Sequence, residues 1–144
     1  MRRMPAIAFA ALLITIVAAH PAVAADKTPD QLVKEAKTVI KEVSIGDVKK
    51  MIDAKEAIII LDVTDKQEFE AGHLPGAMNL SRGTLEFKSA MMLPDKKARI
   101  VVYCGLDLRS PLATRTLNEL GYANAVNMIG GMKAWKAAGY PVEP

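Results

Sequence analysis

The chain reads as an α/β domain with a mainly parallel central sheet and helices on both faces. Three observations carry that reading. First, Ile58-Ile59-Ile60-Leu61 and Ile100-Val101-Val102-Tyr103 are unbroken apolar runs, the pattern of strands covered on both faces. Second, segments of helical period stand between and after these runs, with Gly72, Gly121 and Gly139 as stops. Third, the length of 144 residues, 51% hydrophobic and 24% charged, suits one domain with its own core. Strands alternating with helices at this spacing predict parallel pairing. No internal repeat or low-complexity segment interrupts the pattern.

The N-terminus is read apart from this domain. Met1-Arg2-Arg3 is a short positive start, and Ala6 to Ala19 is apolar except for Thr15. Small residues at Ala22 and Ala24 fit cleavage after Ala24, with Ala25 a near equivalent. The apolar run is shorter than the roughly 20 residues a membrane span needs. Residues 1–24 are therefore expected to be a secretory signal peptide, and the periplasm the destination. Membrane attachment is expected only if that segment stays uncleaved. Removing Arg2 and Arg3 from the 19 Lys+Arg leaves 17 against 16 Asp+Glu, close to neutrality. With no basic run interleaved with aromatics, nucleic acid is not an expected partner.

The elements follow in order. Thr28-Pro29-Asp30-Gln31 has the form of a capping box with proline at the first helical position. Apolar residues from Leu32 to Val43 then recur at helical spacing, which predicts an amphipathic helix over 29–41 within an extension, 25–42. The main domain is set at 43–144. Val43-Ser44 is read as a short strand, with Ser44 capping a helix that runs through Ile52. Ile58 to Leu61 is the second strand, ending at Asp62. Residues 65–71 form a short helix, and 77–80 a short strand. Residues 81–93 read as a helical piece followed by loop, ahead of the Pro94-Asp95 turn. Ile100 to Tyr103 is a buried strand. Ser110 is expected as the cap and Pro111 as the first residue of a helix to Leu120. Ala125 to Met128 is the last strand, and 132–138 the last helix.

Cys104 is the only cysteine, so an internal disulfide is excluded. It directly follows a central-looking strand, and ligands of open α/β sheets bind at the C-terminal ends of strands. A tight loop from Gly105 to the start of a helix aims several N–H groups inward, making an anion cradle. Thiols in such settings ionise more readily than free cysteine. Gly105 is read as the residue that lets the loop turn tightly. Arg109 is read as closing the loop, through loop carbonyls or by facing a bound anion. One Cys and the single His of the mature chain do not make a metal site, and no metal is expected.

These motifs together resemble the rhodanese-like sulfurtransferases. Leu61-Asp62-Val63 with Glu68-Phe69-Glu70-Ala71-Gly72-His73-Leu74-Pro75-Gly76-Ala77-Met78-Asn79-Leu80 is similar to the family's first signature. Cys104-x4-Arg109-Ser110 is similar to its active-site loop. Gly130-Gly131-Met132-Lys133-Ala134-Trp135, then Gly139-Tyr140-Pro141-Val142, is similar to its closing signature. The resemblance implies a Cys104 persulfide, formed from a small sulfur-containing anion or persulfide donor and discharged to a thiol or cyanide-like acceptor. It implies substrate contacts from Gly105, Leu106, Asp107, Leu108 and Arg109, and no cofactor. The loop is one residue shorter than the C-x5-R loop of cysteine phosphatases, which disfavours phosphate chemistry.

Two positions depart from the family pattern. Asp107 stands where glycine is common, and its carboxylate is expected to face solvent. Thr64 replaces an arginine expected to pair with Glu68. Other residues are read as structural: His73 as a turn residue, Trp135 as core, Met91 and Met92 as hydrophobic filler rather than pocket lining, Asp62 as the end of a strand, Arg82 as surface. Two other functions stay open beside sulfur transfer: a non-catalytic binding module and a thiol redox sensor, since an exposed thiolate can be oxidised.

Overall fold

The structure is a computed structural model and describes residues 26–144. The signal peptide expected over 1–24 lies outside the described residues. In chain order the elements are α1 (Pro29–Val39), β1 (Glu42–Val43), α2 (Ile45–Asp53), β2 (Ile59–Asp62), α3 (Lys66–Glu70), β3 (Met78–Asn79), a 3₁₀ turn (Arg82–Thr84), α4 (Leu85–Met92), β4 (Ile100–Tyr103), α5 (Arg109–Glu119), β5 (Ala125–Met128) and α6 (Gly131–Ala137).

The five strands form one sheet in the order β1-β5-β4-β2-β3. Every pairing is parallel, with Leu61 opposite Val102 and Asp62 opposite Tyr103 at the centre. Parallel strands need helical crossovers, and those helices cover both faces. The apolar runs therefore divide by alternation. Leu61, Ile100 and Val102 enter one core with Leu85 of α4 and Ala113 and Leu117 of α5. Ile60, Val101 and Tyr103 enter the other with Val48 of α2 and Trp135 of α6. Trp135 is fully buried, and its Nε1–H donates to the Pro141 carbonyl at 2.8 Å.

Capping chemistry sets the helix starts. Thr28 accepts from the Gln31 N–H at 3.3 Å while the Gln31 side chain accepts from the Thr28 N–H at 2.8 Å, closing the box expected there. Ser44 accepts from the Asp47 N–H at 3.1 Å at the start of α2. Helix α5 differs from expectation. It begins at Arg109 rather than after Ser110, with no side-chain cap. Pro111 is then its third residue, still within the first turn where a missing N–H leaves no intrahelical bond unmade. Helix α1 lies against α5.

The strand order places the site. β2 leads on to β3 at one edge, whereas β4 leads on to β5 on the other side. The crevice between the C-terminal ends of β2 and β4 is therefore a topological switch point, where ligands of open α/β sheets bind. Cys104 stands at that point.

Candidate active site

Side-chain alternation decides where the thiol points. Ile100, Val102 and Cys104 share the face covered by α5. Cys104 is 1% exposed, and its Sγ accepts from the Ser110 N–H at 3.4 Å. The thiol thus takes the place of the missing cap and explains why α5 starts at Arg109. Sulfur meets the N-terminal end of an eleven-residue helix, where backbone dipoles favour negative charge. Ser110 Oγ is fully buried beside it without a hydrogen-bond partner.

The loop is held from behind by α6. The Met132 N–H donates to the Cys104 carbonyl at 2.8 Å, and the Lys133 N–H to the Gly105 carbonyl at 3.0 Å. Such close approach needs glycine: a Cβ on Gly131 would run into the Cys104 carbonyl oxygen, and Gly131 itself has φ +59°. Gly105 is not under comparable demand. Its φ is not positive, and a Cβ there would meet Arg109 Nη2 at an ordinary 3.7 Å. The left-handed residue of the loop is Asp107, at φ +60°, a conformation aspartate tolerates better than most.

Asp107 does not face solvent as expected. Its side chain is 12% exposed. Oδ2 accepts from Lys37 Nζ of α1 at 2.6 Å, and Oδ1 from Asn127 Nδ2 of β5 at 2.8 Å. Glu42 joins the same group, accepting from Asn127 at 2.8 Å and lying 3.2 Å from Lys37 Nζ. The Asp107 and Glu42 carboxylates raise the Lys37 ammonium above its ordinary value, overcoming its desolvation.

Arg109 does not close the loop through loop carbonyls. Its two Nη groups donate to Glu68 Oε1 and Oε2, each at 2.7 Å. Arg109 thereby fills the place expected for an arginine at position 64. Thr64 turns inward instead, its N–H and Oγ1–H donating to Asp62 Oδ1 at 2.8 and 2.6 Å. The Arg109 hydrogen bonds hold the Glu68 carboxyl below its usual range, against partial desolvation. Glu68 in turn raises the Arg109 guanidinium. Leu106 and Leu108 are 61% and 49% exposed, and the backbone N–H that meets the sulfur is that of Ser110.

A cavity of about 230 Å³ opens beside Gly105, lined also by Asp62, Thr64, Glu68 and Lys136. A larger groove of about 590 Å³ runs between α1 and α5, past Val39 and Arg115, but carries no thiol. Cys104 lines neither space, but the smaller one is lined by Gly105, the residue that follows it, and so lies nearer the thiol. Among the described residues no group of three or more His, Cys, Asp and Glu side chains comes together as a metal site. His73 is structural but not in a turn: its backbone bridges Glu143, its Nδ1 lies 3.1 Å from the Phe69 carbonyl and its ring stacks on Phe69 at 3.8 Å. Arg82 pairs with Glu86 at 3.1 Å. Lys37, Asn127 and Gly131 were not singled out from the sequence as site residues. Only Gly131, inside the Gly130-Gly131 motif, left a sequence signal.

Residues 44–138 match the rhodanese-like domain family. The chain belongs to that family. It is 33% identical over 98 residues to the thiosulfate sulfurtransferase GlpE of Pseudoalteromonas translucida, covering 68% of this chain and 90% of that protein. YrkF of Bacillus subtilis is 30% identical over 96 residues, covering 67% of this chain but only 51% of YrkF, so the chain spans about half of that relative. Two solved structures are also similar. One is the polysulfide-sulfur transferase homodimer of Wolinella succinogenes (TM-score 0.66, 32% identity, 77% of this chain and 83% of that one). The other is RPA3614 of Rhodopseudomonas palustris, described as a protein of unknown function and possible tyrosine phosphatase (TM-score 0.74, 28% identity, 81% and 95%). GlpE and the Wolinella protein are both named for sulfur transfer, the activity that the family's sulfurtransferase members support in general.

Proposed function

We propose that the chain moves a sulfane sulfur from a donor to a thiophilic acceptor through a persulfide on Cys104. The observation that carries this reading is the Ser110 N–H on Cys104 Sγ at the α5 N-terminus. The Cys104 thiolate attacks the outer sulfur of a donor such as thiosulfate. The S–S bond of the donor breaks, and sulfite leaves with the bonding pair. The persulfide on Cys104 carries its negative charge on the outer sulfur, toward the loop N–H groups of Gly105 to Arg109. An acceptor thiolate, or cyanide, then attacks that sulfur, and the electron pair returns to Cys104. This is covalent catalysis in two half-reactions. No step needs a metal or an organic cofactor.

A polysulfide serves the same chemistry as thiosulfate, and the Wolinella neighbour makes it the second donor to try. The exposed Leu106 and Leu108 beside the thiol suit a less charged donor. Phosphate-ester hydrolysis is the rival suggested by the description of RPA3614. Arg109 locked on Glu68 and the short C-x4-R loop oppose it. With the signal peptide expected at 1–24, the reaction is placed in the periplasm.

Intact mass of the purified protein before and after donor treatment, with Cys104→Ser alongside, tests the reading. One added sulfur on the wild type alone, removed by cyanide, supports it. No added sulfur from thiosulfate, polysulfide or low-molecular-weight persulfide, with the thiol demonstrably free, overturns it. The same spectrum reports whether residues 1–24 are gone.

A further inference from the structure

The helix that precedes the family match reaches the active-site loop. We propose that Lys37 of α1 is a positioning residue for Cys104: by pairing with the Asp107 carboxylate it fixes the loop that leads into the Ser110 N–H on the sulfur and neutralises that negative charge.

Asp107 is three residues from Cys104, so their Cα atoms are within about 11 Å of each other whatever the loop does. That is comparable with the Debye length of about 8 Å at physiological salt, and partly buried charges are screened less than exposed ones. An unneutralised carboxylate here would oppose a thiolate and an anionic donor alike. In the structure both of its oxygens are engaged, one by Lys37 at 2.6 Å and one by Asn127 at 2.8 Å. Asn127 Nδ2 is shared with Glu42. Lys37 is therefore the cation between two carboxylates that use one amide. Without it, Asp107 and Glu42 repel each other. Asp107 is the mobile partner, because it sits in a loop at φ +60° whereas Glu42 is in a strand. Its departure would rotate the peptide groups on either side of it, in the loop that joins Cys104 to the Ser110 N–H on its sulfur.

Other charges stand around the loop and define the background. Arg109 from α5 lies close enough to interact with it, and Glu68 neutralises Arg109. Asp65 precedes α3, and Asp62 and Lys136 line the cavity beside Gly105. Lys133 contributes its N–H to the Gly105 carbonyl. None of these contacts Asp107, so the effect of Lys37 is separable.

The test is the rate of iodoacetamide alkylation of Cys104 against pH in the full chain, for Lys37→Met, Lys37→Arg and Lys37→Met/Asp107→Asn. It uses no sulfur donor, so it can succeed or fail independently of the sulfur-transfer reading on which the inference builds. Lys37→Met should slow alkylation at neutral pH about three- to tenfold and move the profile to higher pH, a tenfold change corresponding to one unit. Lys37→Arg should retain most of the wild-type rate, and Asp107→Asn should restore it in the Lys37→Met background. An unchanged profile in Lys37→Met overturns the proposal. So does slowing that Asp107→Asn does not relieve, and so does a loss of stability with no movement along the pH axis.

Discussion

Two strand-to-helix turns meet at the C-terminal edge of the sheet, and they treat their helix ends in opposite ways. After β2, the chain passes through Asp62-Val63-Thr64-Asp65 into α3. Carboxylates occupy that end: Asp65 at the cap, and Glu68 reaching back to the Asp65 N–H at 3.3 Å. After β4, the chain passes through Cys104 to Leu108 into α5, with no acidic residue in the first turn and no side-chain cap. The first helix end is satisfied by the protein itself. The second is left for sulfur. Arg109 and Glu68 tie the two turns together. A helix terminus attracts anions wherever it lies, so what makes one turn structural and its neighbour reactive is which anion already occupies it.

The comparison breaks most severely at the glycine that lets α6 support the β4 turn. Gly131→Ala places a Cβ against the Cys104 carbonyl and keeps a side chain at φ +59°. Left-handed strain and overpacking each carry roughly 1–3 kcal/mol, so a loss of about 2–4 kcal/mol is expected. Urea unfolding gives the first number. Alkylation of Cys104 gives the second, and it should fall by more than tenfold at neutral pH, because the backbone that must move is the cradle. A variant that loses stability but reacts normally would show that α6 does not shape the loop. Next in size is Asp65→Ala, which strips the cap from α3 and the acceptor of the Ser81 hydroxyl at 2.6 Å. Loss of about 0.5–2 kcal/mol is expected, the range for helix caps. Alkylation of Cys104 should change by less than twofold, the mark of a purely structural turn.

The strands were the legible part of this fold, and the reason is physical. A four-residue run buried on both faces has few other places to go, so β2 and β4 were found almost to the residue. Thr28, Pro29 and Gln31 announced α1 through local hydrogen bonds alone. The start of α5 is not legible locally, because Ser110-Pro111 has the form of a cap whereas the actual partner of the Ser110 N–H is a thiol six residues earlier. The burial of Asp107 is hidden in the sequence because its partner is 70 residues away, on a polar helix face that carries no signature of its own. Cys104 was readable from its position behind a strand. What surrounds it was not, because Arg109, Glu68, Lys37 and Asn127 are brought together by the sheet order rather than by any local pattern.

Leu108→Asp sharpens the contrast by making the β4 turn resemble the β2 turn. Leu108 precedes the first residue of α5 and is 49% exposed, so little packing is lost. A carboxylate near a helix N-terminus stabilises by about 0.3–1 kcal/mol. The same charge beside Cys104 should slow alkylation severalfold and move its profile to higher pH. Stability and reactivity should therefore change in opposite directions. If both fall, the turn is a packing feature and the helix end is not reserved for the sulfur.

The smallest effect concerns the tie between the turns. Arg109→Gln removes a pair that is 37% and 48% exposed, and exposed pairs contribute about 0.2–1 kcal/mol after screening. Its pH dependence is more telling than its size. The Glu68 carboxyl is held below its ordinary 4.5 chiefly by hydrogen bonds from Arg109. A depressed carboxylate contributes stability that is fully present above the unfolded value and is lost as pH falls through the folded value. The difference between wild type and Arg109→Gln should thus be constant from neutral pH down to about pH 5 and vanish below the folded value of Glu68, with added salt shrinking it at neutral pH. Urea unfolding of both proteins at stepped pH would show this. A difference that persists in strong acid would mean that Arg109 supports the loop by packing rather than by charge. The two turns would then be joined by contact alone, and Glu68 would be free to meet a substrate.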